Sequence, residues 1–222
     1  MASPATICIS HATGSAGAEV GSLVAERLGL RYVDDEVIAE AAEWAGLDSA
    51  FVADAERKRS FVGRLLGDVG SQGSPRLPTG EPAARTLPTD ADLRALISSA
   101  VSSFTRQGGV VIVAHAASFT VNPGTALRVF VSASASTRGG RIAREREISA
   151  SQAEKAIRSE DAARADYLKR FYGIDRELPT HYDLVVNTDA LSPAAAAAVV
   201  AAAATFARKD EEAAEQALSR AD

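Results

Sequence analysis

A single cysteine, Cys8, leaves this 222-residue chain with no possible intrachain disulfide. Packing alone must hold the fold, as in proteins of a reducing cytoplasm. Set in the apolar run Thr6–Ser10, that thiol is expected to be a buried structural side chain rather than a reactive one. Basic residues are also in short supply: 24 Lys+Arg against 29 Asp+Glu give a net charge of −5. That balance argues against a general nucleic-acid binder. Met1–Pro4 has no basic region of the kind that opens a signal peptide. The longest weakly polar stretch, Pro193–Phe206, is shorter than the ~20 residues a membrane span needs. A soluble, cytoplasmic protein without a membrane or nucleic-acid partner is expected. The three histidines have no metal-ligand spacing, so no metal site is read from them.

What is present is an alternation. Short β-rich runs at Thr6–Ser10, Leu30–Val33, Val110–Ala114, Leu127–Ala133 and Asp183–Thr188 predict strands. Helical spacing predicts helices from Ala18 to Leu28, Glu36 to Ala45 with weak continuation to Leu66, and about Asp90 or Asp92 to Gln107. Further helices are expected over Thr137–Glu147, over Ser151–Phe171 and after Ser192-Pro193. Strands alternating with helices imply an α/β fold with a parallel sheet, whose ligands sit beyond the C-terminal strand ends. The Gly- and Pro-rich segment Gly67–Asp90 reads as a flexible insertion within one domain of residues 1–208. Residues 209–222 read as a charged tail, frayed or projecting.

The turn after the first strand, "HATGSAGAE", resembles a place where proteins hold phosphate. A helix N-terminus presents unpaired N–H groups and about half a positive charge. Gly14 and Gly17 would let the backbone curl close to an anion. Two familiar patterns nevertheless fail. The dinucleotide G-x-G-x-x-G meets Ala16 and Glu19, and G-x-x-x-x-G-K-[ST] finds no lysine. An NAD-binding module is thereby disfavoured, and a tight strand-to-helix turn without ligand stands as the alternative.

Several segments in order, taken together, resemble the cytidylate kinase-like family, P-loop relatives of the nucleoside monophosphate kinases. Its members read like "ISREYGSGGREIGRKLAEKLG…YD", then "VIVGRG", "RI..RE", "D.AR..Y" and "YDL.INT". The counterparts here are Ser10–Gly29, Asp34, "VIVAHA" at Val111–Ala116, the helix from Arg141, "SEDAARADYLKRFYGID" from Ser159 and "HYDLVVNTDALS" from His181. The likeness spans about Thr6 to Phe206.

This resemblance implies a three-layer P-loop fold with a helical lid over about residues 137–172. It implies phosphoryl transfer from ATP, with Mg²⁺, to a nucleoside monophosphate such as CMP or to another small acceptor. Thr13, Gly14, Ser15, Ala16, Gly17 and Ala18 would cradle phosphate, with Arg138 and His115 as cations beside it. Arg141 and Arg144, on one helix face one turn beyond Arg138, would clamp the donor phosphates. Arg164 lies in the "D.AR..Y" match beside Asp161 and Tyr167, and Asp34 would approach the acceptor or hydrated metal. Bland readings stand beside these: Arg–Glu pairs on a solvated helix face, and Asp34 or Asp35 as a helix cap. A structural hydrogen-bonding role is the alternative for His11 and His115, and Glu19 would repel a triphosphate unless paired.

The chain departs from the family at Ala18, where members carry arginine, and at Ala114-His115-Ala116, where they carry Gly-Arg-Gly. Phosphoryl transfer depends on cations around the moving group. A catalytically inactive or weak relative, binding nucleotide or acting through partners, is therefore the competing expectation.

Overall fold

β-branched residues strung together without polar interruption favour strands buried on both faces, and they form the centre of this protein. The computed structural model describes residues 6–34, 90–114 and 116–219. Its strands are β1 (Thr6–His11), β2 (Arg31–Val33), β3 (Val110–Val113), β4 (Leu127–Ser132) and β5 (Leu184–Asn187). They make one sheet in the order β2-β3-β1-β4-β5, and every neighbouring pair is parallel. β1 is central: Ile9 lies level with Val113 of β3, and His11 with Val131 of β4. The loop leaving β1 therefore emerges between two other C-terminal strand ends.

Alternation along each strand sorts its side chains to two faces. Ile7, Ile9, Val111, Val113, Val129 and Val131 pack with α1 (Gly17–Leu28) and with Ala196, Ala197 and Val200 of the last helix. Cys8, Val110 and Ile112 face the other way, against Ile97, Val101 and Phe104 of α2 (Asp90–Gln107) and Ala117 of the short α3 (Ala117–Thr120). Three layers result, as expected. Burial pushes the Cys8 thiol up to about 12, which keeps it protonated and inert.

The remaining helices are α4 (Ala135–Glu145), α5 (Ala150–Tyr172) and α6 (Pro193–Ser219). α4 starts two residues before the expected Thr137, because the Ser134 hydroxyl accepts the Thr137 N–H and caps the helix there. Ser149 and Gln152 form a reciprocal capping box at the start of α5. α6 continues into the segment expected to fray or project: its backbone is helical to Ser219, consistent with the alanines and glutamates in that stretch. α3 and the 3₁₀ turn Pro179–His181 were not apparent in the periodicity, being too short to show one. The helix expected from Glu36, Asp35, the insertion from Gly67 and His115 lie outside the described residues.

Candidate functional site

The loop from Ala12 to Ala16 folds under its own hydrogen bonds and those of its neighbours. Ala12 N–H donates to the Val131 carbonyl at 3.1 Å, and Ser15 N–H to the Ala12 carbonyl at 3.0 Å. The fully buried Ser15 hydroxyl donates to the Val131 carbonyl at 2.9 Å. Gly14 (φ 76°) and Ala16 (φ 63°, ψ 28°) both adopt left-handed backbone. Both glycines stand where protein packs tightly against the backbone. A Cβ on Gly14 would lie 2.8 Å from the Arg138 carbonyl oxygen, and one on Gly17 would lie 2.2 Å from the His11 Cβ. α1 then begins with Ala16 at its N-cap and no side-chain capping bond, while Ala18 and Glu19 are exposed in its first turn. The N–H groups of that first turn have no intrahelical partner.

Of the four candidate arginines, Arg138 and Arg141 bond to carbonyls of this loop. Arg138 is buried; its Nη1 and Nη2 grip the Asp161 carboxylate at 2.8 and 2.7 Å, and Nη1 also donates to the Thr13 carbonyl at 3.2 Å. Arg141 makes no carboxylate bond among the described residues. Its Nη1 donates to the Gly14 carbonyl at 3.2 Å and to the Thr188 hydroxyl at 2.9 Å, and Nη2 donates to the Thr188 carbonyl at 2.9 Å. Thr188 in turn donates its hydroxyl to the Ser15 carbonyl at 2.8 Å. Arg144 is exposed and donates only to the Gly140 carbonyl at 3.1 Å among the described residues.

Arg164 belongs to a separate buried cluster. It forks onto Glu177 at 2.9 and 2.5 Å, reaches the Tyr182 hydroxyl at 3.3 Å and lies over the Phe130 ring. The Tyr182 hydroxyl also donates to Glu177. Burial alone would raise the Glu177 carboxyl, but the Arg164 guanidinium outweighs it and holds it below its usual range. Tyr167, the other residue of that motif, is core: it is buried and stacks on Phe171.

His11 lies beside the loop. Its ring lies against Gly17, and its Nδ1 sits 3.4 Å from the Ala12 carbonyl oxygen. Burial lowers its pKa, with Arg164 lowering it further and the Ala12 carbonyl and Asp34 opposing. Asp34 stands exposed after β2 and accepts from the Tyr32 hydroxyl at 3.2 Å. Sequence reasoning missed Thr188 as a tie to the loop, and Glu177 as the partner of Arg164. The signal for Thr188 was a lone hydroxyl ending a strand at the ligand edge of the sheet. It also missed Asp189, whose carboxylate accepts the Ser134 N–H at 2.9 Å at the start of α4. The Thr137 hydroxyl and the Ser134 N–H together keep that carboxyl below its ordinary value. Among the described residues, no group of three or more His, Cys, Asp or Glu side chains could hold a metal. None of the described helices is long and apolar enough to cross a membrane.

This architecture has counterparts. A cytidylate kinase from Ignicoccus hospitalis is 29% identical over 189 residues, covering 85% of this chain and 92% of its own length. A cytidylate kinase from Polynucleobacter necessarius is 28% identical over 157 residues, covering 64% of this chain and 71% of its own. The crystal structure of an uncharacterized protein from Eubacterium ventriosum superposes with a TM-score of 0.54 at 14% identity, over 83% of this chain and 88% of that one, a likeness of fold alone. Residues 6–190 match the cytidylate kinase-like family over most of the chain, and the protein belongs to that family.

Proposed function

We propose that the protein transfers the terminal phosphoryl group of ATP to a nucleoside monophosphate of the CMP type. The observation that carries this reading is the uncapped start of α1, at the central strand's C-terminal end, behind a loop whose side-chain ties come from α4 and the end of β5. Backbone N–H groups at such a terminus hold phosphate without a lysine. Arg144, exposed on α4 and without a carboxylate bond among the described residues, would supply a cation to a donor phosphate, and Asp34 would face the acceptor or a hydrated Mg²⁺. Magnesium, when bound with ATP, offsets phosphate charge. The chain's part is to bind and orient: N–H groups at the loop, a guanidinium at the lid, and His11 filling the space beside Gly17.

A second reading is favoured by one observation. Arg138 and Arg164 are both committed to carboxylates, which leaves few cations for the transferring group. A nucleotide-binding relative with little or no turnover fits that distribution. Incubation with ATP·Mg and a panel of CMP, dCMP, UMP, AMP and GMP separates the two, with ADP and nucleoside diphosphate followed by chromatography. ADP formation dependent on one monophosphate supports the kinase. Nucleotide binding without ADP selects the second reading, and absence of binding overturns both.

A further inference from the structure

Three consecutive carbonyls of the loop are held by side chains from other elements. Thr13 accepts from Arg138, Gly14 from Arg141 and Ser15 from Thr188. No peptide bond in the described chain is cis. In a trans peptide the carbonyl of one residue and the N–H of the next point in opposite directions. Fixing those three carbonyls toward α4 and the end of β5 therefore aims the N–H groups of Gly14, Ser15 and Ala16 away from them. Ser15 N–H closes the turn on Ala12, which leaves those of Gly14 and Ala16 directed into the loop with the first N–H groups of α1. Arg138 is neutralised by Asp161, whereas Arg141 and Thr188 bond to each other as well as to the loop.

We propose that Arg141 and Thr188 act together as positioning residues, setting the peptide planes of a lysine-free loop so that its N–H groups converge on a polyphosphate. This rests on the reading that the loop takes nucleotide phosphates. It departs from the sequence expectation for Arg141, because the guanidinium spends three donor contacts on protein oxygens instead of on the donor phosphate. The residues work through the loop, so their loss acts on its order before any ligand arrives.

The test uses the full chain, with Thr188→Val, Thr188→Ser, Arg141→Met and the Thr188→Val/Arg141→Met pair, each checked for cooperative thermal unfolding. Amide hydrogen exchange over residues 12–19 is measured without ligand, and inorganic tripolyphosphate and ATP·Mg binding by calorimetry. Exchange in the loop is expected to speed up about tenfold or more in T188V and R141M, with T188S close to the parent. Affinity should fall about 5- to 30-fold in each single variant, and the pair should lose little more than either alone. A direct phosphate contact by Arg141 would instead leave T188V unaffected and loop exchange unchanged in R141M, overturning the proposal. If the parent chain binds neither probe, the functional reading fails, and the exchange measurement on the ligand-free variants still decides whether these residues order the loop. A variant that does not fold is replaced by Arg141→Lys, which keeps a donor but not the fork. Loop exchange in R141K equal to the parent's would overturn the role of Arg141.

Discussion

At the scale of single residues, the loop carries a strain that a one-atom change should relieve. Ala16 holds φ 63°, where an L side chain crowds the following carbonyl at a cost of about 1–2 kcal/mol. Ala16→Gly removes that crowding but loosens the unfolded chain by roughly 0.4–1 kcal/mol. The net expectation is a gain of about 0.5–1 kcal/mol, read as a melting temperature about 2 °C higher. A lower melting temperature would show that the Cβ packs well enough to offset its strain. Gly17→Ala should do the opposite, since its Cβ would sit 2.2 Å from that of His11. Overpacking of this kind costs about 1–3 kcal/mol, visible as a lower denaturant midpoint at unchanged slope. His11 adds a pH term. Burial depresses its pKa below the ordinary 6.5, so the unfolded chain binds the proton more readily. Stability is therefore full above about pH 7 and falls as pH drops through 6.5 toward the lower folded value. Urea midpoints at pH 7.5 and 5.5 should differ less in His11→Gln than in the parent; equal differences would remove His11 as the source.

At the scale of elements, two ion pairs fasten α5, one to α4 and one to the approach of β5, and they differ in worth. Asp161, on α5, is 43% exposed in its bond to Arg138, so solvent weakens that link between α4 and α5. The Arg164–Glu177 pair is only 9% and 20% exposed, and it ties α5 to the approach of β5. Glu177→Gln leaves a buried guanidinium without its counter-charge and should cost about 3 kcal/mol. The sign of its pH dependence follows from a carboxyl held below its ordinary 4.5. Its stabilisation is present above that value and is lost as pH falls through the lower folded pKa. Acid unfolding of E177Q should accordingly be flatter below pH 4.5 than that of the parent, by circular dichroism against pH. Unchanged acid behaviour would mean that other carboxylates dominate. This pairing was not legible in the sequence. A guanidinium in an Arg/Glu-rich helix looks the same whether it faces ligand or carboxylate, and its partner lies 13 residues away, beyond the end of its helix.

For the molecule as a whole, the strands were legible because β-branched runs such as Val110–Val113 have no other stable home, and their parallel order follows from the helices between them. The site was legible as a place but not as a set of contacts. That a glycine-containing turn would lead from β1 into α1 could be read from the sequence. That Arg138 and Arg141 hold the turn's carbonyls could not, because those contacts span 125 and 127 residues of sequence. The same wiring makes a prediction about the entire fold. The loop touches β4 through Val131, α4 through both arginines and the end of β5 through Thr188. A ligand seated there binds a surface that exists only when all of these are assembled, so it should stabilise the native state alone. At 100 times its dissociation constant, ATP·Mg should add about 2.7 kcal/mol. For a chain of this size that is about 5–10 °C in melting temperature, approached logarithmically with concentration. Thermal melts across a nucleotide series test this, with inorganic tripolyphosphate as the phosphate-only control. A comparable rise with tripolyphosphate would place most of the binding free energy in the loop. A rise with ATP·Mg alone would place it in contacts to the nucleoside, and no rise with either would deny the loop its ligand.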